Sequence, residues 1–145
     1  MKTVTWLALL GTILLMTSSC CSCRRGPSKN NKPLTGTQWT LIQEDGKLIQ
    51  AQDNYYIIIG TEEGRFNGRG DCNSLMGSYT LPAEGKIDFQ GIASTRAFCP
   101  DQAGEDRFFQ MLDEVDSYEI DGNLLMLYTN GELTAIMEAK EDAAQ

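Results

Sequence analysis

Residues 117–139, SYEIDGNLLMLYTNGELTAIMEA, decide the fold class. Asp121-Gly122 and Asn130-Gly131 are the dipeptides that best suit two-residue hairpin turns, because both central residues of such a turn need positive φ. They cut the stretch into three short runs, 117–121, 123–129 and 132–139, which read as an antiparallel meander. Just upstream, 101–115 changes period: Phe108, Met111, Leu112 and Val115 fall at i, i+3, i+4 and i+7 and make one apolar helical face. Asp101 after Pro100 suits an N-cap, and Glu105 and Asp106 suit the early turns, where a helix favours negative charge.

Towards the N-terminus the pattern is strand-like again. Residues 38–44 (QWTLIQE) alternate, with Trp39 and Leu41 facing inward, and 54–60 (NYYIIIG) are aromatic and β-branched. Residues 65–70 (RFNGRG) form a glycine-containing strand, and 76–81 and 86–89 flank a hairpin loop at 82–85 (PAEG). No period of about 20 to 50 residues marks a repeat array. The expected fold is mainly β, a β-rich α+β domain with a curved antiparallel sheet or partly closed barrel and one packed α-helix. Residues 141–145 read as a frayed tail.

The first 20 residues stand apart. Lys2 gives a positive start, 4–16 (VTWLALLGTILLM) an apolar run, and Thr17-Ser18-Ser19-Cys20 a small-residue end with a thiol. The run is 13 residues long, short of the roughly 20 that span a bilayer core as a helix. Residues 1–19 therefore read as a lipoprotein signal peptide, with Cys20 as the acylated first mature residue. Thr17 stands where such leaders usually carry Leu, and a plain secretory signal cleaved near Ser19 is the rival reading. Residues 20–33 read as a lipid-anchored tether, since 21–33 (CSCRRGPSKNNKP) hold no large apolar side chain. The expected location is the bacterial cell envelope, with the domain in the periplasm.

Residues 34–145 then form one domain with one modest core. All 20 acidic residues and only 7 of the 12 basic ones fall there, a net charge of −13. Phosphate backbones need clustered Lys or Arg, so nucleic acid is excluded as a partner. Cys72 and Cys99 are the domain's two cysteines. In an oxidising compartment such a pair reads first as a disulfide and second as two buried thiols. With no histidine in the chain, a zinc set and a Ser-His-Asp arrangement are both missing. No metal ligands, cofactor or catalytic residues are assigned. Asp113, Glu114, Asp116, Glu62 and Glu63 read as solvated charges, and Met76, Met111, Met126 and Met137 as core filler.

Several pieces together resemble the META/HslJ family of bacterial envelope proteins. They are 34–41 (LTGTQWTL), 68–73 (GRGDCN), 77–79 (GSY), 92–95 (IAST), Cys99-Pro100, the helix residues Glu105, Phe108, Phe109 and Leu112, and 124–127 (LLML). Asp71 departs from the small or apolar residue expected before Cys72, and Ala97-Phe98 from the methionines common before Cys99. The resemblance implies a compact β-rich domain and a link to envelope or stress physiology, and it brings no catalytic residues. Its motif residues, structural or binding, are Gly36, Trp39, Gly68, Gly70, Asn73, Gly77, Tyr79 and Thr95. Gly68 and Gly70 would allow close backbone approach, and Asn73 reads as a turn residue bonding nearby backbone. Arg69-Gly70-Asp71 spells an integrin-type tripeptide, and its place inside this motif favours a structural role. The functional expectation is a non-enzymatic, membrane-anchored binding or stabilising module whose partner is an envelope protein. The alternative is a small periplasmic inhibitor or carrier of an apolar ligand, with Trp39, Tyr55 and Tyr79 lining a cavity. A hydrolase would need two carboxylates about 5 to 9 Å apart in a cleft.

Overall fold

The computed structural model describes residues 30–49, 54–62 and 64–140. The leader, Cys20 and most of the tether lie outside them, as does the tail 141–145. In chain order the elements are β1 (Gln38–Glu44), β2 (Lys47–Leu48), β3 (Tyr56–Ile59), β4 (Arg65–Gly70), β5 (Asn73–Thr80), β6 (Asp88–Ser94), α1 (Gln102–Glu114), β7 (Ser117–Asp121), β8 (Leu124–Thr129) and β9 (Glu132–Ala139). The expected meander is present. Asn130 (φ +53°) and Gly131 (+84°) form the β8–β9 turn as expected. Asp121, by contrast, pairs with Leu124 and ends β7, so the β7–β8 turn is Gly122-Asn123, with Gly122 at φ +63°. Between β1 and β2 the same device is used by Asp45 and Gly46, a turn the strand pattern did not disclose.

All strands belong to one sheet in the order β6-β5-β4-β3-β1-β9-β8-β7, with β2 hanging on β1. Every neighbouring pair is antiparallel. Register shifts between Leu41 and Gln43, Met76 and Ser78, and Leu127 and Tyr128 add curvature of the kind bulges produce. The sheet curls into a half-barrel. Its two edges meet where Lys86 bridges Ser117 and the Tyr118 N–H donates to the Gly85 carbonyl at 2.9 Å.

One face of most strands fills the interior, the short β2 being exposed on both residues. Trp39, Ile57, Ile59, Leu75, Leu125, Leu127 and Met137 are almost wholly buried there, and α1 adds Phe108, Met111 and Leu112. Asp101 caps the helix, accepting from the Gly104 N–H at 3.0 Å. Met111 and Met137 are core residues as expected. Met76 is not: it faces outward from β5 at 63% exposure, because its register partners Asn67 and Ala93 are themselves on the outer face. No helix among the described residues is long and apolar enough to cross a membrane.

Antiparallel pairing gives the half-barrel two distinct ends. The start of β1, the end of β9 and the β7–β8 turn lie at one end; the β1–β2, β4–β5 and β8–β9 turns and the end of β6 lie at the other. The incoming chain is fastened at the first. Asn31 bonds the Ile120 carbonyl and the Gly122 N–H, each at 2.8 Å, and the Lys32 N–H donates to the Gly122 carbonyl. Asn31 and Lys32 belong to the stretch read as tether, and they strap its last residues to the β7–β8 turn.

Candidate functional site

The end opposite the strap carries a saturated polar cluster. It starts at the β4–β5 turn, where Asp71 takes φ +40°. The Asn54 amide donates to its carboxylate at 3.2 Å, and Arg69 Nε donates to its carbonyl at 3.0 Å. Cys72, next along, is joined to Cys99 in a disulfide with Cα atoms 5.8 Å apart. This ties the turn to the loop that enters α1. Asp71 Oδ2 lies 3.1 Å from Cys99 Sγ. Asp71, Cys72 and Cys99 form a compact trio, yet the sulfurs are bonded to one another and offer a metal no thiolate.

Asn73 is the centre of the cluster, and it is not the turn residue its type suggested. It opens β5, is buried, and bonds residues far away in sequence. Its Oδ1 accepts from Thr95 Oγ1 at 2.8 Å and from the Ala97 N–H at 2.7 Å. Its Nδ2 donates to the Ala97 carbonyl at 3.2 Å and to Glu105 Oε2 at 2.6 Å, while its own N–H donates to Glu105 Oε1 at 2.8 Å. Both donors and both acceptors of the amide are used. Glu105, 1% exposed, is thus a buried carboxylate held by an amide and a backbone N–H rather than a solvated helix-start charge. Gly70 makes room for it: a Cβ there would lie 2.7 Å from the Phe109 ring and 3.2 Å from Glu105 Cγ.

The cluster forms the floor of an open groove of about 570 Å³ between the loop after β6 and the first half of α1. Its rim carries Arg96, Phe98, Gln102, Asp106 and Phe109. Phe98 is 92% exposed. Its neighbours are nevertheless fixed, Ala97 by two hydrogen bonds between its backbone and the Asn73 amide, and Cys99 by the disulfide.

The structure brings Gly70, Cys72, Asn73, Thr95 and Cys99 together at this site. The other motif residues lie elsewhere. Gly36 (φ +78°) turns the incoming strap, and Trp39 is core with its indole N–H on the Leu34 carbonyl. A Cβ on Gly68 would collide with the Tyr56 carbonyl oxygen, and one on Gly77 would lie 2.6 Å from the Phe66 ring. Tyr79 anchors its hydroxyl on the Gly60 carbonyl at 3.0 Å. Glu105, Arg96 and Phe98 were not picked out as site residues; an acid at a helix start and exposed loop residues carry no periodic signal.

A smaller cavity of about 80 Å³ lies between β1, Tyr55 and α1. The Tyr55 hydroxyl is buried there without a hydrogen-bond partner. Burial, reinforced by the Asp101, Asp71 and Glu105 carboxylates, pushes its pKa up to about 12. Burial also raises the Glu44 carboxyl, against the pull of Arg107, whose Nε lies 3.9 Å away.

Residues 32–141 match the META domain model. Among curated proteins none matches the chain. A protein from Burkholderia xenovorans solved by NMR is similar in fold, with a TM-score of 0.62 at 23% identity over 75% of this chain and 85% of that one. A DUF4847 family protein from Bacteroides vulgatus, solved by crystallography, gives 0.57 at 16% identity over 75% and 96%. At these identities the two structures speak for the fold alone, and the family match over most of the chain decides membership: the chain belongs to the META domain family.

Proposed function

We propose that this chain is a non-enzymatic, membrane-anchored envelope lipoprotein whose META domain serves as a binding or stabilising module, with a role in envelope stress. The observation that carries the binding part is the pinned groove at the end opposite the strap, with an exposed aromatic on fixed backbone. Such pre-organisation lowers the ordering cost of association. The leader ending at Cys20 supports the anchor, and two or more acyl chains would be needed to hold it stably. The strap at Asn31 would then set the groove away from the bilayer. A sequence without histidine, and a family not known for enzymatic activity, support the non-enzymatic part.

The carrier reading has less support. Of the three aromatics expected to line one ligand cavity, Trp39 is wholly buried in the core, and Tyr79 is core at 8% exposure with its hydroxyl on the Gly60 carbonyl. Tyr55 alone borders the cavity of about 80 Å³ beside α1. The anchor is tested by replacing Cys20 with Ala in the full-length chain and fractionating cells. The substituted chain should leave the membrane fraction, and its continued sedimentation with membranes would defeat the anchoring claim.

A further inference from the structure

The rim of the groove carries both halves of a self-complementary contact. A two-fold interface needs the same patch on each copy, so that residue i meets j and j meets i. Phe98 is a knob beside a groove walled by Phe109, and Arg96 is a cation beside the anion Asp106 on the same rim. Arg96 and Asp106 are not paired with each other: the ion pairs among the described residues are Lys86–Asp116 and Arg107–Glu44. Among the described residues Asp106 accepts from the Gln102 amide, one turn back on α1, at 2.9 Å.

Exposure of Phe98 is an energetic cost that its backbone prevents the chain from relieving. With Ala97 held on Asn73 and Cys99 in the disulfide, the ring cannot fold back into the core. Burying such a ring against another apolar surface removes that cost. We infer that the groove is an interface between two copies of this chain, in which Phe98 of each copy enters the other's groove against Phe109 and Arg96 of each pairs with Asp106 of the other. The inference rests on the reading of this end as a binding surface and not on the lipid anchor.

Charge and size set the terms. The net charge of −13 per domain opposes association at low salt, but at physiological ionic strength screening over about 8 Å leaves short-range contacts to decide. Stable interfaces bury roughly 1,200 Å² or more in total, whereas the contact inferred here is confined to one groove and its rim. A reversible dimer is therefore expected, favoured where copies are concentrated on one surface.

The test is sedimentation of the full chain, isolated in mild detergent at about 150 mM salt, over a concentration series. The native chain should pass reversibly from monomer to dimer, and dimers that survive denaturant without reductant are discounted as cysteine cross-links. Phe98→Ser should weaken dimerisation at least about 30-fold, the effect of truncating an aromatic hot spot. Arg96→Asp and Asp106→Arg should each weaken it, and the double exchange should restore it, which a merely structural role would not produce. A native chain that stays monomeric overturns the inference. So does a dimer indifferent to Phe98→Ser, or a double exchange that fails to recover. Thermal unfolding of each variant identifies any that misfold; if Phe98→Ser does, Phe98→Gln takes its place.

Discussion

Asn73 and Glu105, 32 residues apart in sequence, are joined by two hydrogen bonds, backbone N–H to Oε1 at 2.8 Å and side-chain amide to Oε2 at 2.6 Å. The pair fixes the start of β5 to the first turn of α1 and is buried on both sides. Each of the two Glu105 oxygens meets a donor from Asn73, so the buried acid is not left with an unpaired acceptor.

Removing that carboxylate should therefore strand two donors. Glu105→Ala is expected to cost about 3 kcal/mol of folding stability. Glu105→Gln keeps one acceptor and sets its NH₂ against another donor, so it should fall between Ala and the native residue. Denaturant unfolding midpoints check the order Glu, Gln, Ala. An Ala variant as stable as the native chain would remove the pair from its structural role.

The Cys72–Cys99 disulfide closes a loop with a sequence separation of 27. On the chain-entropy account a loop of that size is worth about 3.5 kcal/mol. Replacing both cysteines with Ser should lower stability by about that amount. Titration of the denatured, unreduced native chain should find neither thiol at these two positions.

Glycine positions separate by what surrounds them. A Cβ at Gly68 would strike the backbone of β3, whereas at Gly91 it meets open space and only the φ of +61° resists it. Gly68→Ala should thus cost about 3 kcal/mol through overpacking, and Gly91→Ala about 1 kcal/mol through left-handed backbone alone. Equal unfolding midpoints for the two would contradict the packing described between β3 and β4.

Tyr55 gives a pH dependence. Burial raises its pKa from 10.0 to about 12, so the folded state prefers the neutral phenol more strongly than the unfolded chain does. The resulting stability is intact below pH 10 and is lost as pH rises through about 12. Spectrophotometric titration near 295 nm should show a late-ionising tyrosine that Tyr55→Phe abolishes, and the variant should lose less stability at alkaline pH. The partnerless hydroxyl adds that Tyr55→Phe should cost little at neutral pH.

The sequence by itself determined what depends on neighbours along the chain. The two meander turns, the period-2 runs and the helical spacing of Phe108, Met111, Leu112 and Val115 were legible because turns and amphipathic faces are local properties. The tightness around Gly70 was legible only as a need for small residues. Tertiary structure decided which distant groups meet. Asn73 looked like a turn residue because its type bonds nearby backbone, yet its partners are 22 to 32 residues away. Met76 looked like core, and strand register turned it outward. Phe98 and Glu105 show the same limit in opposite senses, an apolar ring held in water and a carboxylate held out of it. Composition and periodicity encode average burial, whereas such exceptions are fixed by the disulfide, the register and the hydrogen bonds of the closed fold.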